Sequence, residues 1–245
     1  MPHDRFYINA PLQEEVLSLE GDEFHHLSRV MRKRVGERVE LINGRHLIAL
    51  ATIDALEKSS AQLTVLKIEE KKPLLPPLTL IQGLPKFPLL ELIVQKGTEL
   101  GVSTFYFYPA LLSDKKSVSQ AQKKRLEHIT VNAMKQCGRL DLPQIEWGLP
   151  IPLSILNPKA DQKKTALESL GTLYFGDLRT GAAPLCKVGT LPATLIIGPE
   201  KGLTYSEIHT LNEVAKGVSL APYTLRTETA ALAGLSILAN LCRQD

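Results

Sequence analysis

The sequence predicts an α/β protein in two parts: a small β-rich domain, then a larger domain built on a mostly parallel sheet. Three observations carry this expectation. Short runs rich in Val, Ile and Leu fill the first stretch of the chain. A charged cluster followed by Pro73, Pro76 and Pro77 then breaks the pattern. Beyond it, aliphatic runs of strand length alternate with helical stretches, the order that builds a parallel sheet. The domains are expected at 1–72 and 73–245.

In the first part, "RFYIN", "EVLSLEG", "ERVELING", "HLIALATID" and "AQLTVLKIEE" read as strands. Asn43-Gly44 between two of them is a hairpin signal. In the last run Leu63, Val65, Leu66 and Ile68 alternate against Thr64 and Lys67 with one slip. One helix interrupts, "DEFHHLSRVM", with Asp22 as the expected N-cap. On it, one of His25 and His26 is expected to be a packed histidine. Several short strands with one helix predict a small barrel. The linker is expected over "EEKKPLLPPLTL", residues 69–80, because proline there favours extended backbone.

In the second part, "LTLIQG", "TFYFYP", "TLYFG", "ATLIIG" and "VSLA" read as strands. "PLLELIVQKGTELG" and "VSQAQKKRLEHITVNAMKQCG" read as helices stopped by Gly101 and Gly138. "TYSEIHTLNEVAKG" opens on the capping box Thr204-x-x-Glu207. The last helix is "TETAALAGLSILANLC", with Thr227 as the expected N-cap; its apolar side suits either a dimer partner or the sheet.

The hydrophobic share of 44% against 22% charged residues supports a core without staples. No stretch reaches membrane-span length, and "MPHDRFYINAPLQEE" lacks a signal-peptide run, so a cytoplasmic protein is expected. Cys137, Cys186 and Cys242 and the six histidines show no zinc spacing, so no metal is expected. Net charge is only +3, but basic residues form two islands. Residues 25–46 hold Arg29, Arg32, Lys33, Arg34, Arg38 and Arg45; residues 115–139 hold Lys115, Lys116, Lys123, Lys124, Arg125, Lys135 and Arg139. Such islands suit RNA phosphates, though a charge run is also a common solvated face.

Ligands of a parallel sheet bind beyond the carboxyl ends of its strands. Three loops qualify: Gly176 to Arg179, the turn "GPEKG" at 198–202, and "LAPYTLRTET" at 220–229. Nucleotide phosphate loops and the serine-hydrolase elbow are absent, which excludes those classes. Gly198 and Gly202 allow close backbone approach, Pro199 stiffens the turn, and Glu200 can accept hydrogen bonds. Arg226 stands at a helix N-terminus, where a cation is unfavourable unless an anion lies near.

Four segments carry a family resemblance: "QKGTELGV" (95–102), "KQCGR" (135–139), "LIIGPEKGL" (195–203) and "LRTETAAL" (225–232). Their order and spacing resemble the RsmE family, the ribosomal small-subunit RNA uridine-N3 methyltransferases of the SPOUT class. "HLSRVMR" (26–32) with "VGERVELING" resembles that family's N-terminal domain. The resemblance covers essentially the whole chain. It implies a PUA-like barrel that binds RNA, then a SPOUT α/β domain with a deep trefoil knot. It also implies S-adenosylmethionine as methyl donor, a homodimer, and 16S rRNA within the small subunit as partner, with neither DNA nor membrane. The product would be 3-methyluridine near the decoding centre, at uridine 1498.

Carried over by position, the donor pocket would comprise Leu173, Tyr174, Phe175, Ile197, Gly198, Pro199, Glu200, Gly202, Leu220, Pro222, Leu225 and Thr227. Arg226 and Glu228 would serve catalysis, Arg226 by steadying charge on the uracil and Glu228 as a base or only a helix-start residue. Arg29, Arg32, Lys33, Arg34 and Arg139 would contact RNA. Two departures stand out: Lys201 where the family usually has a second glycine, and Ala221-Pro222-Tyr223 where it often has Gly-Pro-Arg. A ribose 2′-hydroxyl methyltransferase and a non-catalytic RNA-binding assembly factor are the alternatives.

Overall fold

The computed structural model describes residues 5–148 and 170–241. The chain divides into two compact units, Met1–Leu74 with Val131–Leu142, and Leu75–Thr130 with Pro143–Asp245.

The first unit carries strands β1 (Arg5–Tyr7), β2 (Val16–Glu20), β3 (Arg38–Ile42), β4 (Leu47–Leu56) and β5 (Ser60–Glu70). They form one sheet in the order β1-β3-β4-β5-β2, parallel at β1–β3 and antiparallel elsewhere. Alternate residues fill its core: Phe6, Leu17, Leu19, Val39, Leu41, Ala49, Ala51, Ile53, Ala61 and Leu63 are all buried. The slip in β5 is a bulge. Leu50 pairs with Lys67 and Ala51 with Val65, so Leu66 is skipped and stands half exposed. At the β3–β4 hairpin Gly44 takes a φ of +72°, and Asn43 Oδ1 accepts the Arg45 N–H at 3.0 Å.

Helix α1 (Gly21–His25) runs directly into a π-helical turn, His26–Val30. The expected cap is displaced: Glu20 holds the N-cap position without a side-chain capping bond, and Asp22 lies inside the first turn. There its charge still suits the helix N-terminus. His26 is the packed histidine, with its ring 5.6 Å from that of Phe6. The expected linker is also too long. β5 continues through Glu69 and Glu70, whose charges an exposed strand end tolerates, and only residues 71–77 precede the next strand.

The second unit carries β6 (Leu78–Gly83), β7 (Thr104–Tyr108), β8 (Gln144–Trp147), β9 (Thr172–Gly176), β10 (Ala183–Pro184), β11 (Ala193–Ile197) and β12 (Lys216–Ser219). Their order is β10-β12-β9-β11-β6-β7-β8, and every pairing is parallel. β6 and β11 are buried along their whole length, as central strands covered on both faces must be.

Helices α2 (Phe87–Glu99), α4 (Leu185–Val188) and α6 (Thr227–Asn240) pack one face, with α3 (Gln120–Cys137) adding Leu126. Leu80, Leu195 and Tyr174 meet Leu90, Ile93, Leu235 and Leu238 there. The other face joins Ile81, Phe175 and Ile196 to Leu211 of α5 (Tyr205–Asn212). The buried side of α6 therefore lies on the sheet, where Gly234 leaves no room between helix and Leu195: an added Cβ would meet Leu195 Cδ2 at 2.5 Å.

The capping box of α5 forms as expected: Thr204 Oγ1 accepts the Glu207 N–H at 3.2 Å, and Glu207 Oε2 accepts the Thr204 N–H at 2.7 Å. Gly101 and Gly138, with φ of +94° and +85°, follow α2 and α3. Among the described residues no helix is long and apolar enough to cross a membrane. Cys137 and Cys186 are free thiols, and Cys242 lies outside the described residues.

Candidate active site

β12, β9 and β11 are neighbours and run the same way, so the three expected loops leave the sheet side by side. Gly176 marks how closely they meet. A Cβ placed there would lie 3.2 Å from Ile197 Cδ1, the last residue of β11, and 3.5 Å from Leu220 Cδ1, the residue after β12.

The first loop is pinned by Asp177. Its carboxylate accepts the Arg179 backbone N–H at 3.0 Å and the guanidinium at 2.6 to 3.0 Å, and Arg179 Nη2 also reaches Asn212 Oδ1 at 2.9 Å. The side-chain bond from Arg179 holds the Asp177 carboxyl below the usual carboxylate range.

The second loop is a closed turn, in which the Gly202 N–H donates to the Pro199 carbonyl at 2.8 Å with Gly202 at φ +75°. The turn is pressed onto the end of β6. It is also tied at both shoulders. Glu200 Oε1 accepts the backbone N–H of Lys86 at 2.9 Å, and Lys201 forms an ion pair with Asp114. Lys201 thus projects to the surface, where its charge is met rather than aimed at the turn's backbone.

The third loop, 220–226, delivers the chain to α6. The N–H groups of Tyr223, Thr224, Leu225 and Arg226 donate to no protein group among the described residues. Arg226 occupies the N-cap position of α6 without a side-chain cap bond, is exposed, and has no ion-pair partner among the described residues. Thr227 is not the cap, as the sequence suggested. It is the first helical residue, and its buried hydroxyl donates to the Gly198 carbonyl at 2.6 Å. The hydroxyl is drawn off the helix because Gly198 O lies within reach across the sheet end. Glu228 follows in the first turn, half buried.

One residue of this cluster gave no sequence signal. Gln82, fully buried at the end of β6, directs Nε2 at Gly83 O (2.9 Å), Gly198 O (2.9 Å) and Thr227 Oγ1 (3.0 Å). With Ile197 O at 3.5 Å, four oxygens surround that atom and fix the amide orientation, since a swapped carbonyl would face three other carbonyls. Its Oε1 is left without a partner among the described residues. An orphan acceptor of this kind costs about 1–3 kcal/mol.

The other expected pocket residues divide in two. Gly198, Leu220 and Leu225 are half buried at the loops, and Pro222 is exposed. Leu173, Tyr174, Phe175 and Ile197 belong to the strands beneath. Tyr174 spends its hydroxyl on Val188 O at 3.0 Å and on Thr190 Oγ1 at 3.1 Å, and Phe175 enters the core of the opposite face.

The basic candidates also separate. Arg29, Arg32 and Arg34 are exposed and form no ion pair among the described residues. Arg32 holds a φ of +53°, strained for a residue with a Cβ. Lys33 pairs with Glu37 at 3.0 Å, and Arg139 pairs with Asp141; both side chains are largely covered. In the second basic island Arg125 pairs with Glu91, Lys116 donates to Ala110 O and Leu111 O, and Lys123 sits 4.8 Å over the Trp147 ring.

Comparison with known proteins agrees with this geometry. The profile of an RNA methyltransferase domain matches residues 70–239, and that of an RNA methyltransferase PUA domain matches residues 19–66. The ribosomal RNA small subunit methyltransferase E of Bacillus subtilis is 29% identical, over 98% of this chain and 99% of its own. That of Aquifex aeolicus is 34% identical, over 71% and 73%. Among solved structures, a Legionella pneumophila protein with bound cofactor SAM superposes with a TM-score of 0.82 at 25% identity, covering 98% of both chains. The Neisseria gonorrhoeae ribosomal RNA small subunit methyltransferase E, bound to S-adenosyl methionine, gives 0.78 at 25% identity and 97% coverage of both. The chain belongs to the RNA methyltransferase family, among the SPOUT-class ribosomal RNA small subunit methyltransferase E proteins.

Proposed function

We propose that this protein transfers the methyl group of S-adenosylmethionine to N3 of a uridine in small-subunit rRNA, the uridine at position 1498. Residues 1–72 bind the RNA and residues 73–245 carry the transfer, in a cytoplasmic homodimer whose rRNA partner is presented within the small subunit.

The residues suit such a donor. Gly176 stands where any side chain would fill the space between Ile197 and Leu220. The unbonded N–H groups from Tyr223 to Arg226 offer donors for an adenine ring or a carboxylate. Gly198, Pro199, Glu200 and Gly202 from the turn, and Leu220, Pro222 and Leu225 from the third loop, would hold it, with Ile197 beneath. The bound donor would supply an electrophilic sulfonium methyl, its sulfur remaining as a neutral thioether once the methyl is transferred.

The remaining work falls on the protein. Uracil N3 carries a proton at neutral pH and is a poor nucleophile until that proton leaves. Arg226 cannot take it, because guanidinium stays charged. Exposed and without an ion-pair partner among the described residues, Arg226 can face the negative charge that grows on the uracil oxygens. Glu228, two residues on in the first turn of α6, is the carboxylate in place to accept the proton. Such help is worth about 10²–10⁴-fold.

The observation that carries the reading is the 2.6 Å bond from Thr227 to Gly198, which fastens the residue between Arg226 and Glu228 to the glycine turn. Incubation with labelled S-adenosylmethionine and unmethylated small ribosomal subunits tests it. Label in the rRNA is expected. Donor binding without transfer to any rRNA would reduce the protein to a non-catalytic binder.

A further inference from the structure

Gln82 has no part in the chemistry above, yet it touches both halves of the site. Its amide lies 2.9 Å from the Gly198 carbonyl and 3.0 Å from the Thr227 hydroxyl, which itself donates to that carbonyl. β6 pairs directly with β11, with Gln82 beside Ile197, so the contact to the glycine turn is local. α6 is different. The chain enters it from β12, which lies beyond β9 on the far side of β11. Its first turn must be caught after crossing those strand ends, and Gln82 with Gly198 is what catches it.

We propose that Gln82 is a positioning residue for methyl transfer. Through Thr227 it holds Arg226 and Glu228 at a fixed distance from the donor turn. An apolar side chain could fill the same buried position without an unbonded Oε1; the bonds of Nε2 are what the glutamine adds. Donor binding depends on it less, because the Gly202 N–H still closes the turn on the Pro199 carbonyl when the amide is gone. The inference rests on the reading that Arg226 and Glu228 face the substrate.

The test compares Gln82→Met, Thr227→Val and the double variant for turnover on unmethylated small subunits, with donor affinity measured by calorimetry. Each single variant is expected to lower kcat by about 10²-fold, the loss that misplacement of about 1 Å brings. In Gln82→Met donor Kd stays within about threefold, and the double variant loses no more turnover than either single, as coupled partners do. Thr227→Ser, which keeps the hydroxyl, recovers most of the turnover.

Turnover that persists at wild-type level while only Tm falls would overturn the proposal, as would losses that add in the double variant. If Gln82→Met does not fold, equal turnover of Thr227→Val and Thr227→Ser overturns it. Arg226→Ala separates the two levels. Loss of transfer there, beside wild-type turnover in Gln82→Met, sinks the positioning role alone. Wild-type turnover in Arg226→Ala removes the reading beneath it.

Discussion

Gly83 and Pro199 are in contact with no space for a side chain between them. A Cβ on Gly83 would stand 2.7 Å from Pro199 Cδ, 2.9 Å from Pro199 N and 3.1 Å from the Cβ of Ala110. The end of β6 is therefore the floor on which the glycine turn rests. A methyl group there has nowhere to go, because two of the three neighbours belong to a proline ring.

Gly83→Ala is predicted to destabilise the protein by about 1–3 kcal/mol, the usual range for overpacking. That corresponds to roughly 2–4 °C in Tm per kcal/mol for a chain of this size. Because the displaced group is the turn itself, donor affinity falls as well. Thermal unfolding and calorimetric titration with S-adenosylmethionine check both halves.

Arg226→Ala is predicted to lower kcat by about 10²–10³-fold, the loss typical of one charge-stabilising donor. Donor Kd stays within about threefold, since no bond of Arg226 holds the turn. Single-turnover assays beside donor titration measure the two quantities separately.

Glu228→Gln keeps shape and polarity and removes the base. A fall in kcat of about 10²-fold or more is expected. A change below about threefold would leave Glu228 as a helix-start residue, favourable there only by its charge.

Asp177 gives a pH prediction. Its folded carboxyl titrates below the ordinary value of about 4. Its stabilising contribution is therefore complete above that value and is lost as pH falls through the depressed folded pKa. Between pH 5 and 8 this group adds no slope to stability. Below pH 4 the wild type loses Tm faster than Asp177→Asn, which has no such carboxylate to protonate. Melting curves from pH 2.5 to 6 compare them.

Much of this was legible in the sequence, and the reasons differ by element. The capping box at Thr204 and Glu207 reads directly because both partners lie within one turn. Gly101 and Gly138 read as helix ends because left-handed backbone favours glycine. Asp22 and Thr227 misled for one reason: each has a capping side chain but sits inside the helix, and local sequence does not say where a helix begins. Thr227 in particular bonds to Gly198, a partner remote in sequence.

Gln82 was invisible because one polar residue in an apolar run looks like the end of a strand. β8 and β10 were missed because short edge strands carry little aliphatic pattern. The charge islands overstated free charge, since Arg125, Lys135 and Arg139 meet Glu91, Glu23 and Asp141 in the fold. Only three-dimensional pairing separates Arg29, Arg32 and Arg34 from those.

The most direct measurement identifies the methylated atom. Small ribosomal subunits lacking the modification are incubated with the protein and labelled S-adenosylmethionine, and the rRNA is digested to nucleosides for mass spectrometry. The account predicts 3-methyluridine, formed about 10²–10³-fold more slowly when Arg226→Ala replaces the wild type. A ribose-methylated nucleoside, or 3-methyluridine formed equally well by Arg226→Ala, would contradict it.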